Sequence, residues 1–455
     1  MIINTGVDTK LCRGTVPGMV VKVTGGSPKV RKFSQAVGVG SNIQFGIHNN
    51  SLVNLRRGLV ERVFFVEGAD GLIPPPKPDS QIFEATLKDL GVELARKIGV
   101  SLPVARTTFV LMRRASKRKI YQQASDSLLT RPLVRKDSYL STFLKCEKLN
   151  LTKKPDPAPR VIQPRTPRYN VEVGRYLSHI EHDYYTGIDE IWGKVWGDKV
   201  PTVMKGYNVE ETGKHISDAW ASFKNPVAVG LDAKRFDQHV SSDALRFEHS
   251  VYLGNYTGKH RRKLARLLKW QLVNHGFARA SDGEIRYIVE GGRMSGDMNT
   301  ALGNIILMTL MVKRFTEEMG VKCRLINNGD DCSLIFEREH LATILQAVHG
   351  WFLRYGFQIV VEEPVFELEE IEFCQMHPIW TPRGYVMVRN SMVALSKDAI
   401  LTRPVGPSGF GKWMHVVGMA GSALTSGIPI HQEYYKMFVR SGIRGGRQSE
   451  FEKNE

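Results

Sequence analysis

Residues 323–337 read CRLINNGDDCSLIFE. Two β-type runs, Cys323–Ile326 and Cys332–Phe336, flank Asn327-Asn328-Gly329-Asp330-Asp331, a cluster of turn-forming residues. The pattern predicts a hairpin with two adjacent carboxylates at its tip. Upstream, 295–320 opens on Ser, Gly and Asp. It then places Met298, Leu302, Ile305, Ile306 and Leu310 at helical spacing and closes on Gly320, a C-terminal cap. Further upstream, Val227–Leu231 is an apolar strand that runs directly into Asp232, with Asp237 five residues on in LDAKRFD. Downstream, Leu341–Leu353 is an amphipathic helix and Phe357–Val361 another strand. The order strand, basic helical insertion, helix, hairpin, helix, strand predicts an α+β layer with its acids at strand ends and turns.

Carboxylates gathered at one spot repel unless a cation neutralises them. If the hairpin lies beside the first strand, Asp232 and Asp330 converge on a hard, oxygen-lined Mg²⁺ site with Asp331 as neighbour. Two such ions about 3.5–4 Å apart activate a 3′-hydroxyl and stabilise a departing pyrophosphate. Alone, a Gly-Asp-Asp triplet is only a turn. Between the two acidic sites, however, lies Gly291–Asn304, GGRMSGDMNTALGN. Its Thr300 and Asn304, four residues apart, share one helix face. A hydroxyl and an amide there suit recognition of a ribose 2′-hydroxyl. Lys145 and Arg160 sit in a proline-punctuated basic stretch, 145–168, and rigidly held cations suit a triphosphate. Its core, KPDPAPRVIQPRTPR, is expected to be non-helical throughout.

The 455 residues carry 63 Lys plus Arg against 46 Asp plus Glu, a net charge of +17. This points to a polyanionic partner, nucleic acid or an acidic membrane surface. The cations cluster at Arg113–Lys119 (RRASKRK), at Lys259–Lys269 (KHRRKLARLLK) and in the 145–168 stretch. Such clusters are either solvated faces or a nucleic-acid path; Arg165, Arg168, Lys259, Arg261, Arg262 and Lys263 are the candidates for nucleic-acid contact. No apolar run approaches the ~20 residues of a membrane-spanning helix, and the N-terminus does not resemble a secretory signal. Five scattered cysteines without CxxC argue against a zinc site or a disulfide framework. Pro74-Pro75-Pro76-Lys77-Pro78 reads as a rigid linker after some 70 residues, and the last stretch, RSGIRGGRQSEFEKNE, as a tail.

In this order the elements resemble an RNA-dependent RNA polymerase of a positive-strand RNA virus, of the tombusvirus family or a relative such as the umbraviruses. The basic loop resembles motif F, LDAKRFDQHVS motif A, GGRMSGDMNTALGN motif B and NNGDD motif C. NNSLVNLRRGLVERVFFVE, KPDPAPRVIQPRTPRYNVEVGRYL and VVEEPVFELEEIEFCQ are also similar to that family.

The resemblance implies a right-hand fold of fingers, palm and thumb. Fingers with an N-terminal extension would take 1–225 and an insertion at 246–285, the palm 226–245 and 286–380, and the thumb and tail 381–455. It implies RNA synthesis from nucleoside triphosphates on an RNA template with Mg²⁺ or Mn²⁺. Asp232, Asp330 and Asp331 match the catalytic, metal-binding carboxylates. Asp237, Ser295, Thr300 and Asn304 match the ribose contacts, and Lys145 and Arg160 the triphosphate contacts. Phe373-Cys374-Gln375 falls at the primer-grip turn. Template and nascent RNA are the implied partners. A viral membrane-associated replication protein would bring the chain to membrane-bound replication complexes in the host cytoplasm.

One departure stands out. No lysine follows the hairpin between His340 and Gln375, where many such polymerases place a general acid; His349 and Arg354 are the nearby alternatives. A reverse transcriptase could share the acidic pair, but Asp237 and Asn304 favour ribonucleotides. A non-enzymatic basic RNA-binding protein would account for the charge, but not for the acids, Ser295, Thr300 and Asn304 together.

Overall fold

Pro226–Ala233, PVAVGLDA, is apolar on both faces of its first half, so it cannot lie at a solvated edge. It forms β1, a central strand of the sheet β2-β3-β1-β4, with β2 Cys323–Asn328, β3 Asp331–Glu337 and β4 Ile359–Val361. All neighbours are antiparallel. The structure is a computed structural model and describes residues 1–10, 12, 14–38 and 42–445. Most of the expected tail, 446–455, lies outside the described residues.

The hairpin is tighter than its five turn residues suggest. Asn328 pairs with Asp331, so the loop is Gly329-Asp330 alone. Gly329 takes φ 89°, which a two-residue hairpin demands at that place. Across the sheet, β1 meets β3 from Pro226–Glu337 to Asp232–Asp331.

On one face the sheet shares a core with α1 Ser242–Gly254, α2 Thr300–Glu318 and α3 Leu341–Leu353, and on the other with the helix Val209–Trp220. Most of α2 is buried, on every face. It is therefore an axial core helix and not a surface one, sharing one core with Val227, Leu231, Leu325 and Leu334. Its end is as expected: Gly320 has φ 65°, and the Val321 and Gly320 amides return to the Thr316 and Glu317 carbonyls.

A second, five-stranded sheet is assembled from distant segments: Val20–Val23, Gly283–Glu290, Val273–Ala280, Leu140–Leu144 and Val161–Ile162. Lys32–Gln35 pairs instead with Ile400–Leu401 near the C-terminus. The first seventy residues are thus woven into the rest of the chain. The expected proline linker is strapped down as well, with the Asp79 amide on the Arg354 carbonyl at 2.7 Å. The proline-rich stretch is extended only as far as Thr166. That residue caps a helix, Pro167–Leu177, which starts on proline because the first helical position needs no N–H. No disulfide joins any of the five cysteines. Among the described residues, no helix is long and apolar enough to cross a membrane.

Candidate active site

The sheet register brings the acids together. Asp232, near the end of β1, stands opposite Asp331, the first residue of β3, and Asp330 occupies the turn beside them. Asp331 is oriented from a third side. Its Oδ2 accepts the Cys374 amide at 3.0 Å, from a two-residue turn in which Cys374 and Gln375 have φ 52° and 61°. Positive φ at two successive non-glycine residues is a costly backbone, held here by the paired Phe373–Met376 bonds. Burial, together with the Asp330 charge, raises the Asp232 pKa. Burial also raises that of Asp331, assisted by Asp330 and Asp232 and opposed by the Cys374 hydrogen bond.

Glu362 and Glu372 line the same cleft; their one signal in the sequence is that both lie within VVEEPVFELEEIEFCQ, a stretch resembling the family. Among the described residues, no arginine, lysine or histidine pairs with Asp232, Asp330 or Asp331. Among the described residues no three acidic or metal-ligating side chains close on one point there, and the acids line a cleft. Hard carboxylate oxygens, mutual repulsion and room for further ligands fit Mg²⁺, which takes one or two carboxylates and completes its shell with water and phosphate.

A second cleft is cationic. Arg62, Arg160 and Arg235 line it together with Asp237, Ser295 and Asp330. Arg62 sits on a π-helical turn, Val60–Phe64, a wide turn common at functional sites. Burial, reinforced by Arg235 and Arg160, pulls its pKa down to about 10, and its Nε has no hydrogen-bond partner. Arg235 is held by the Glu61 carbonyl and lies 4.0 Å from Glu67. Neither Arg62 nor Arg235 is a candidate site residue on sequence, although Arg235 lies within the motif A stretch LDAKRFDQHVS. Their one signal was that both lie within stretches resembling the family. Arg160 lines this cleft, whereas Lys145 stands beside it; both cations share Glu147, at 3.4 and 3.1 Å.

Of the four expected ribose contacts, Asp237 and Ser295 face the cationic cleft. Asn304 stands one layer behind, donating from Nδ2 to Asp237 Oδ1 at 2.8 Å. A Cβ on Gly329 would lie 3.9 Å from that of Asn304, so the amide backs onto the Gly329-Asp330 turn. Thr300 is turned inward. Its hydroxyl donates to the Met294 and Asp297 carbonyls at 2.8 and 3.0 Å, which fixes the loop before α2.

The basic residues divide. Arg165 and Arg168, expected to touch RNA, are 3% and 7% exposed. Arg165 pairs with Asp297 and donates to the Ser138 carbonyl and Asn274; Arg168 holds Asp137 at 3.0 Å and the Arg131 and Pro132 carbonyls. Both are structural ties, unavailable to phosphate without breaking those bonds. Lys259, Arg261, Arg262 and Lys263 lie on the helix Gly258–Lys269, which buries Leu264, Leu267 and Leu268. Lys259 and Arg262 are exposed; Arg261 bonds the Leu253 carbonyl and Lys263 pairs with Glu172. The two alternatives for the missing lysine are engaged elsewhere: Arg354 on Asp79 at 3.4 Å, and His349 Nδ1 on the Ile359 carbonyl at 3.3 Å.

Comparison with known proteins agrees with the motifs. The family described as viral RNA dependent RNA polymerase matches residues 19–455. The RNA-directed RNA polymerase of turnip crinkle virus is 48% identical over 438 residues, covering 96% of this chain and 55% of that protein. That of melon necrotic spot virus is 49% identical over 438 residues (96% and 54%), and that of maize chlorotic mottle virus 46% over 440 residues (96% and 45%). The chain spans about half the length of these curated relatives. On this extent of similarity, the chain belongs to the viral RNA-dependent RNA polymerases, among those of the tombusviruses and their relatives.

Proposed function

We propose that this chain synthesises RNA from ribonucleoside triphosphates on a viral RNA template, for genome replication and transcription, by two-metal nucleotidyl transfer. The observation that carries the reading is the position of Asp330, which borders both the acidic cleft and the cleft ringed by Arg62, Arg160 and Arg235. A triphosphate bound by the arginines would present its reacting end to the acids. In the right-hand description, the sheet of β1–β4 is the palm, the five-stranded sheet belongs to the fingers, and the helices after residue 400 belong to the thumb.

Asp232, Asp330 and Asp331 would hold Mg²⁺ or Mn²⁺, which supplies charge to activate the 3′-hydroxyl and to stabilise pyrophosphate as it leaves. Arg62, Arg160 and Arg235 bind and orient the phosphates. Asp237 accepts a hydrogen bond from the ribose, and Asn304 and Ser295 complete that contact, which favours ribonucleotides over the substrates of a reverse transcriptase. The partners are template and nascent RNA, together with a viral membrane-associated replication protein that brings the chain to replication complexes in the host cytoplasm.

The test is nucleotide incorporation on a single-stranded RNA template with Mg²⁺ or Mn²⁺, comparing wild type with Asp330→Ala. Template-length product from wild type alone is expected. Product from both would remove Asp330 from the site, and RNA binding without product from either would favour a non-enzymatic RNA-binding role.

A further inference from the structure

Asn304 is itself held from behind. Its Oδ1 accepts from Arg293 Nε at 3.0 Å while its Nδ2 donates to Asp237. Arg293 forms a two-pronged pair with Glu248 of α1, and neither side chain has any solvent exposure. Glu248 Oε1 also accepts from the Tyr252 hydroxyl and from Asn299 Nδ2, both at 2.8 Å. The Arg293 amide donates to the Asp237 carbonyl at 2.7 Å, so Arg293 is tied to Asp237 through its backbone as well as through Asn304.

We propose that the Glu248–Arg293 ion pair is a positioning device for sugar selection: it fixes the Asn304 amide so that Asp237 is kept as an acceptor for the ribose hydroxyl. This inference rests on the reading of Asp237 and Asn304 as ribose contacts.

The control is electrostatic. A flipped Asn304 would set its oxygen against the Asp237 carboxylate and its N–H groups against the guanidinium, both repulsive. Arg293 therefore dictates the orientation, provided it stays where it is. Glu248 keeps it there. Without Glu248 a fully buried guanidinium has no counter-charge, and the Asp237 carboxylate, already within its electrostatic reach, becomes its natural partner. An arginine on Asp237 would occupy the acceptor that the ribose needs. The helix α2 is shaped for the pair: a Cβ on Gly303 would collide with both Arg293 Nη2 and Glu248 Oε1.

Two variants test this without leaving one buried charge alone. Glu248→Leu with Arg293→Met replaces the pair by apolar groups of similar bulk, a change that buried ion pairs often tolerate. Gly303→Ala displaces the pair and removes no polar group. Both are compared with Asn304→Ala by the ratio of kcat/KM for a ribonucleotide to that for its 2′-deoxy analogue, with folding followed by circular dichroism. The expected result is a loss of about tenfold in that ratio in all three, the worth of roughly one hydrogen bond. A merely structural pair would slow both substrates equally and leave the ratio unchanged. If the ratio falls only in Asn304→Ala, the positioning role is overturned while sugar recognition stands. If Asn304→Ala itself keeps the wild-type ratio, the ribose reading fails and this inference with it. Should the double variant not fold, Gly303→Ala decides alone.

Discussion

Asp232 and Asp331 are direct register partners on adjacent antiparallel strands, and Asp330 occupies the turn next to them. Opposite strand positions lie about 4.5–5.5 Å apart at Cβ, where like charges destabilise a sheet. The protein keeps this arrangement with no cation of its own in it, among the described residues, and anchors Asp331 by the strained turn at Cys374–Gln375. Such a cleft is less stable empty than filled.

That gives the first prediction. Without divalent metal, Asp331→Asn should be more stable than wild type by up to about 1 kcal/mol, since the amide oxygen can still accept the Cys374 N–H while one charge is gone. Mg²⁺ should raise the melting temperature of wild type and do so less in the variant, and synthesis should be lost. Thermal unfolding with EDTA and with Mg²⁺ checks this. An equal Mg²⁺ response in both proteins would show that the ion binds elsewhere.

Arg62 is a cation with no hydrogen-bond partner at Nε, buried beside two other cations. An anion between them relieves desolvation and repulsion together. Arg62→Gln should raise the nucleotide KM about tenfold, the loss of one charge-assisted hydrogen bond, with a smaller change in kcat. It should also abolish any thermal stabilisation of the protein by inorganic triphosphate. Unchanged KM would return Arg62 to a structural role.

Much of this site was legible in the chain itself. The β-run into Asp232, the hairpin tip and the helix after Ser295 depend on local pattern, and the structure forms all three. What the sequence could not show is pairing at a distance. Arg62 lies 98 residues from Arg160, and nothing local announces that a π-turn delivers it to the same cleft. Glu248 has no local feature to mark it, and its partner Arg293 lies 45 residues on. The reverse error befell Arg165 and Arg168. In a basic stretch they look like phosphate ligands, but each finds a carboxylate and several carbonyls in the interior.

The two kinds of cation should therefore behave differently on substitution. Arg165→Ala or Arg168→Ala leaves a buried carboxylate unpaired and should cost about 3–5 kcal/mol of stability, with RNA affinity unchanged in whatever fraction stays folded. Neutralising the exposed Lys259 and Arg262 should leave stability within about 0.5 kcal/mol. If that face meets RNA, the double variant lowers the slope of log K against log salt by about 1 per lost phosphate contact. Denaturant melts and filter binding across a salt series check both. An unchanged slope would make the helix Gly258–Lys269 a solvated face.

The Gly329-Asp330 turn is supported from behind through Asp189. Asp189 Oδ1 accepts the Thr202 and Val203 amides at 2.8 and 2.9 Å. The Thr202 carbonyl in turn accepts the Asn327 amide, and the Asn327 side chain clamps Gly329 through both its N–H and its carbonyl. Burial outweighs the two backbone donors and lifts the Asp189 pKa from 3.8 to about 6. A carboxyl whose folded pKa lies above its unfolded value binds its proton more tightly in the folded state. Its contribution is therefore favourable below about pH 4 and is lost as the pH rises through about 6. At 1.36 kcal/mol per pH unit, the full difference is at most about 3 kcal/mol. Asp189→Asn keeps an oxygen for both amides and has no proton to lose. It should match wild type near pH 4 and exceed it above pH 7, the gap opening between those values. Urea unfolding of the two proteins across that range measures it. A constant gap would mean that Asp189 is ionised at every pH tested, with the backbone donors prevailing over burial.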